Sequence, residues 1–112
     1  MNILSLYESV CYTSPIDENL FIEYYNRTID ELTADIKDKY LCVAYTVPEH
    51  AETIDDGSNL YDEYRTAVLD NILFLASGDT ARKTDFIMHK EQAYKKVWTR
   101  LSSGKFKPKE IW

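Results

Sequence analysis

A mainly α fold, a small bundle of about four helices, is predicted by three features of the 112-residue chain. Apolar residues recur at steps of three and four over several long stretches, the period of one face of a helix. Helix-starting and helix-stopping residues stand where that rhythm breaks. Hydrophobic residues make up 45% of the chain, nine residues are Tyr, and only three are Gly and three Pro, a composition that folds rather than one that stays disordered. At this length one domain with a single modest core is expected. One short extended or β segment (about 40–47), an acidic loop and a C-terminal extension complete the architecture, divided as a helical domain over 1–103 and a tail over 104–112.

The first element is a short helix, because Ile3, Leu6, Tyr7 and Val10 share one helical face. In "TSPIDE", residues 13–18, Ser14 can cap a second helix, Pro15 suits its first position, and Asp17 and Glu18 favour the positive end of its dipole. Leu20, Phe21, Tyr24, Tyr25, Ile29, Leu32 and Ile36 then form an apolar face that runs to about Asp38, with Glu23, Arg27, Asp30, Glu31, Asp35 and Lys37 opposite. "YLCVAYTVP", 40–48, is β-branched and aromatic and stops at a proline, which predicts an extended segment. It can be a connector, pair with the loop that follows, or add to a strand of another subunit. "EHAETIDDGSN" reads as an exposed acidic loop closed by an Asp-Gly-Ser turn.

A third helix is expected from Asn59 or Leu60. Tyr61, Tyr64, Ala67, Val68, Ile72, Leu75 and Ala76 recur at helical steps, while Leu69, Leu73 and Phe74 widen the face. An apolar surface that broad belongs to a central helix touched on several sides. Gly78 then suits a left-handed stop and Asp79 the next cap, which predicts a tight helical hairpin. The fourth helix, about Thr80 to Ser102, places Ala81, Thr84, Ile87, Met88, Tyr94, Val97, Trp98 and Leu101 inward. Arg82, Lys83, Lys90, Lys95, Lys96 and Arg100 fall outward. Gly104 begins the tail.

Charge is divided unevenly along the chain. Residues 1–79 hold 16 acidic and 4 basic side chains, a balance of −12, whereas residues 80–112 hold 9 basic and 3 acidic, a balance of +6. Such a split suits a nucleic-acid face, internal neutralisation between helices, or acidic and basic surfaces through which copies meet head to tail. Internal neutralisation comes first, protein partners second and nucleic acid third, since the acidic remainder repels a polyanion.

Reactive chemistry is sparse. A lone helical histidine such as His89 is a satisfied structural residue far more often than a base or ligand, and His50 lies in the acidic loop. Cys11 and Cys42 stand outside any zinc or redox spacing and read as reduced, mostly buried thiols. Glu49, Glu52, Asp55, Asp56, Asp62 and Glu63 do not follow the alternation of an EF-hand loop. Asn26-Arg27-Thr28 matches a glycosylation sequon inside a predicted helix, an accidental match. No phosphate loop, nucleophile elbow or HExxH is present. No enzyme activity, catalytic residue, metal or cofactor is expected. The N-terminal stretch lacks a secretory pattern and the apolar runs fall far short of the ~20 residues of a membrane span, so a chain starting at Met1 and independent of membranes is expected.

The order of a short helix, a helix with "LFIEYYNRTIDEL", an extended stretch ending "TVPEH", an apolar helix "LYDEYRTAVLDNILFLAS", a "GD" junction and "KEQAYKKVWTRL" resembles the head-tail adaptor, or connector, proteins of tailed bacteriophages. The match covers roughly residues 3–102 and rests on helix order and apolar spacing. Its soft motifs include mid-helix Asn26, Pro48 and Asp79, and the acidic insertion at 49–58 is longer than the pattern expects. The resemblance implies a structural virion protein of the neck, at the head-tail interface, assembled in the host cytoplasm. About twelve copies would close into a homo-oligomeric ring between the portal protein and a head-tail stopper or tail protein. DNA would pass through without sequence-specific binding. In such adaptors the C-terminal segment docks on the portal, which assigns partner binding to Lys105, Phe106, Lys107, Pro108, Lys109, Ile111 and Trp112. The runner-up is a small helical nucleic-acid-binding or regulatory protein that uses the basic fourth helix.

Overall fold

The computed structural model describes residues 1–37 and 45–102. Among the described residues four helices form, α1 (Ile3–Thr13), α2 (Glu18–Lys37), α3 (Arg65–Ser77) and α4 (Thr80–Ser102), with a 3-10 turn at Asp62–Tyr64 leading into α3. No strand forms among the described residues, and the one β-bridge joins Asn2 to Gly57. The mainly helical bundle is therefore as the apolar periodicity requires.

Each helix starts and stops for a local reason. The Asn2 carboxamide oxygen accepts from the Ser5 N–H at 3.0 Å and caps α1. Ser14 was expected to cap α2, yet it closes α1, donating its N–H to the Val10 carbonyl at 2.7 Å. Proline pushes the residue before it out of the helical region, and Ser14 accordingly sits at φ −138°, ψ 89°. Asp17 takes over as the cap of α2, accepting from the Leu20 N–H at 2.7 Å. Between them, the Tyr7 hydroxyl donates to the Ile16 carbonyl at 3.0 Å while its ring meets Phe21 edge-on at 5.1 Å, so the α1–α2 link is pinned from one side chain.

The start of α3 also differs from expectation, at Arg65 rather than Asn59 or Leu60. Residues 58–60 are held as loop by side chains. Ser58 Oγ accepts from the Leu60 N–H, and the Asn59 carboxamide bridges the Val47 carbonyl and the Glu49 N–H. Thr46 N–H reaches the Tyr61 hydroxyl at 2.9 Å. The described part of the 40–47 segment, from Tyr45 onward, is thus a connector tied to the loop that follows by side-chain bonds. Residues 40–44 lie outside the described residues, as does Cys42.

α3 is the central helix. Ala67, Val68, Asp70, Asn71, Ile72 and Leu73 are buried, and they include positions on opposite sides of the helix. α1 contributes Ile3, Leu6 and Val10 to the core, α2 contributes Phe21, Tyr25, Ile29, Leu32 and Ile36, and α4 contributes Phe86, Ala93 and Val97. The α3–α4 hairpin turns on Gly78 at φ 75°, with its N–H on the Phe74 carbonyl at 2.7 Å and Asp79 capping α4 through the Ala81 N–H at 3.0 Å.

The register of α4 is a correction. Phe86, Ala93 and Val97 point into the core, whereas Ala81, Thr84, Ile87 and Met88, expected inward, are exposed. Tyr94, Trp98 and Leu101 lie half-buried at the edge, and Arg82, Lys83 and Lys90, expected outward, are half-buried.

At Gly78 an added Cβ meets nothing within 4 Å, so the backbone angle alone resists substitution. Gly78→Ala is expected to lower stability by about 1 kcal/mol in urea denaturation, with an unchanged slope.

Candidate interaction surfaces

The functional question for this chain is which charged and apolar groups the bundle consumes and which it leaves outside. Asn71 is fully buried in the middle of α3. Its amide nitrogen donates to Thr28 Oγ1 at 2.8 Å and to Glu31 Oε2 at 2.9 Å, and its oxygen accepts from Lys83 Nζ at 3.1 Å. Lys83 also reaches Glu31 Oε1 at 2.7 Å and lies 4.7 Å above the Phe86 ring. Three helices are tied at one point. A half-exposed ion pair contributes less than about 1 kcal/mol by itself, whereas a fully buried carboxamide stripped of its partners costs ~1–3 kcal/mol. The buried Asn71 therefore sets the weight of the knot.

The rest of the basic helix follows that lead. Lys90 pairs with Asp35 of α2 at 2.5 Å, His89 Nδ1 meets the buried Asp70 carboxylate at 2.5 Å, and Arg100 holds Glu63 through Nε at 2.8 Å and a second nitrogen at 3.1 Å. The Arg100 hydrogen bonds keep the Glu63 carboxyl below its usual range, and Glu63 in turn raises Arg100. Among the described residues every buried side-chain nitrogen and oxygen has a partner. Internal neutralisation thus accounts for much of the charge split, and it turns Arg82, Lys83 and Lys90 toward α2 and α3. Lys95 and Lys96 remain on the exposed side of α4.

The acidic loop is organised by hydrogen bonds. Asp56 Oδ2 accepts from the Glu52 and Thr53 N–H groups at 2.7 and 3.1 Å and Oδ1 from the Thr53 hydroxyl, which hold its carboxyl below the usual range. Asn26 clamps the Ala51 peptide in both directions at 2.9 and 2.8 Å, so the sequon asparagine is a structural bracket. His50 sits on Asp30 at 2.6 Å. Among the described residues no group of three His, Cys, Asp or Glu side chains converges as metal ligands.

Two surfaces remain. On α1, Leu4, Glu8 and Tyr12 follow one another at steps of four on the outer face, and Tyr12 is 93% exposed. On α4, Ile87 and Met88 are 51% and 48% exposed, and Tyr94, Lys95, Trp98 and Thr99 line an open groove of about 480 Å³. The sequence reading missed the α1 surface. Its signal was there, since Leu4 and Tyr12 fall opposite the inward Ile3, Leu6 and Val10. The proposed partner-binding residues Lys105, Phe106, Lys107, Pro108, Lys109, Ile111 and Trp112 all lie outside the described residues.

Comparison with family models, with curated proteins and with solved structures returned no match to this chain. No helix among the described residues is long and apolar enough to cross a membrane.

Behind the groove, Tyr94 stacks on Tyr45 at 5.4 Å, and Tyr45 shares a buried 2.6 Å hydroxyl contact with Tyr64. Burial pushes both phenols up, Tyr64 to about 12 and Tyr45 further. A phenol whose value is raised by folding stabilises the fold fully below its ordinary value near 10 and loses that contribution as the pH climbs toward the folded value. Tyrosinate absorbance from this pair should therefore appear above pH 10 together with loss of helical ellipticity. Tyr64→Phe should cost about 1–2 kcal/mol at neutral pH, because the Tyr45 hydroxyl loses its partner.

Proposed function

We propose that this chain is a structural head-tail adaptor of a tailed bacteriophage, a ring-forming neck protein that sits between a portal protein and the next tail or stopper component. The exposed α1 face carries the reading. An aromatic side chain left almost wholly in water, on the same face as Leu4 and Glu8, is the kind of anchor that a protein partner covers. The partner of matching chemistry is a second copy, since the exposed Lys95 and Lys96 of α4 complement Glu8 and the acidic loop. Contact between an α1 face and a neighbour's α4 is heterologous, and a heterologous contact that closes makes a ring. DNA would pass through the ring and meet no base-reading group, and the tail would dock on the portal. In the virion the protein would occupy the neck.

The reading takes its role from the resemblance, which rests on the helix order that α1 to α4 follow. The competing nucleic-acid reading is weakened by the pairing of Lys83, Lys90 and Arg100 with acidic side chains, which leaves α4 with a short basic face.

Native mass spectrometry over a wide concentration range tests the assembly. The wild-type chain should give one closed species of many copies, and Tyr12→Ala with Leu4→Glu should shift it to monomer with the far-ultraviolet spectrum intact. A wild-type monomer at every concentration, or a ring indifferent to those substitutions, would contradict the α1 contact. Steep loss of duplex DNA binding with salt would favour the competing reading instead.

A further inference from the structure

Three of the chain's four arginines are answered from within the bundle. Arg27, Arg82 and Arg100 each reach a carboxylate, at 2.7, 3.9 and 2.8 Å. Arg65 reaches none among the described residues. Its guanidinium donates to Ser9 Oγ at 2.9 Å and to Ser5 Oγ at 3.5 Å, so it lies half-buried against the side of α1 with no anion to balance it. An acid in the same condition stands on α4. Asp85 is half-buried and has no hydrogen bond or ion pair among the described residues. Lys95 and Lys96 of α4 and Asp55 of the acidic loop are exposed.

These groups fall in an order, with one exposed apolar residue in each series. From its N-terminal end, the outer face of α4 carries Asp85, then Met88, 48% exposed, then Lys95 and Lys96. All four lie within ~100° of helical arc, on the side opposite Phe86, Ala93 and Val97. Along α1 toward its N-terminal end come the Arg65 guanidinium, at the level between Ser9 and Ser5, and then Leu4, 37% exposed. Asp55 follows, in the surface depression that it lines together with Leu4. Acid, apolar, base on one surface thus answers base, apolar, acid on the other.

The spacings agree. Asp85 stands three residues, ~4.5 Å, before Met88, and the midpoint of Ser5 and Ser9 stands the same ~4.5 Å from Leu4. Lys95 and Lys96 follow Met88 by ~11 Å. The acidic loop lies beyond Leu4, at the end of α1 where Asn2 bridges to Gly57. An antiparallel crossing satisfies both charges at once. A parallel one, with Leu4 still on Met88, sets Asp85 against the acidic loop.

We propose that α4 of a second copy crosses α1 antiparallel, with Arg65 on the neighbour's Asp85, Leu4 on its Met88, and Asp55 beside its Lys95 and Lys96. The inference rests on the ring reading and supplies the register of its contact. Tyr12, two turns past Leu4, then covers the start of the neighbour's α4, where Ala81 is exposed. Glu8 falls at the level of Thr84, which leaves the lysines to the acidic loop. Each copy gives Arg65 to one neighbour and Asp85 to the other, as a heterologous contact requires. A guanidinium already fixed by two hydroxyls meets a carboxylate with little further ordering, and such a pair fixes register more than it adds affinity.

Two charge reversals, read by native mass spectrometry, test the contact. Arg65→Glu sets acid against acid at every contact, and Asp85→Arg sets base against base. Each variant alone should therefore need at least roughly ten-fold more protein for half assembly than the wild type. Mixed one to one, the two variants pair an acid with a base wherever unlike chains meet. The mixture should assemble at about the wild-type concentration, to within about three-fold, into species holding equal numbers of both chains. Asp85 has no internal partner to lose, so failure of Asp85→Arg to assemble with an intact far-ultraviolet spectrum reads the contact and not the fold. A wild-type ring indifferent to both reversals, or a mixture no better than its components, would overturn the Arg65–Asp85 contact and leave the ring standing. A wild-type chain monomeric at every concentration would end the ring reading and this contact with it.

Discussion

The bundle depends on one buried carboxamide. Asn71, with no exposed surface, sits where α2, α3 and α4 meet, and its donors and acceptor are answered by Thr28, Glu31 and Lys83. An apolar side chain there would leave the three helices free to rotate against one another. The polar one admits a single arrangement, because each wrong rotation strands a buried amide. Lys83 is drawn to this point from α4, and His89 and Lys90, about two turns further along the helix, then meet Asp70 and Asp35.

That constraint has a cost and a consequence. Turning Lys83 and Lys90 toward α2 places Ile87 and Met88 in solvent, with Trp98 and Tyr94 at the edge. An α4 rotated by one residue would leave Asn71 and Glu31 without their cation. The α1 face with Tyr12, on which the functional reading rests, and the exposed Ile87 and Met88 of α4 are what remains after the knot is satisfied.

Much of the fold was legible in the sequence, because α1, α2 and α3 carry apolar positions at helical spacing and Gly78-Asp79 marks the hairpin. Three things were not. Ser14 is a good cap by type, but it is followed by proline, and the backbone preference of the residue before proline outweighs the side chain. Leu60 and Tyr61 carry helical spacing into a stretch that Ser58 and Asn59 hold as loop, a long-range effect that no local pattern contains. In α4 the apolar residues cover two adjacent faces, so periodicity chose the broader stripe and missed Phe86. Only the partners of Lys83 and Lys90 on other helices decide between them. Of the candidate surfaces, the tail was read from its composition, and the α1 face was readable only as the residue of a pattern aimed inward.

The central claim is that Asn71 and Lys83 act as one unit in setting how α4 is seated. A double-mutant cycle with Asn71→Ala and Lys83→Met, followed by urea denaturation, measures that directly. The account predicts a coupling of about 1–2 kcal/mol, with the second substitution costing much less once the first is in place. Additivity to within ~0.3 kcal/mol would contradict it and would return the seating of α4 to apolar packing alone.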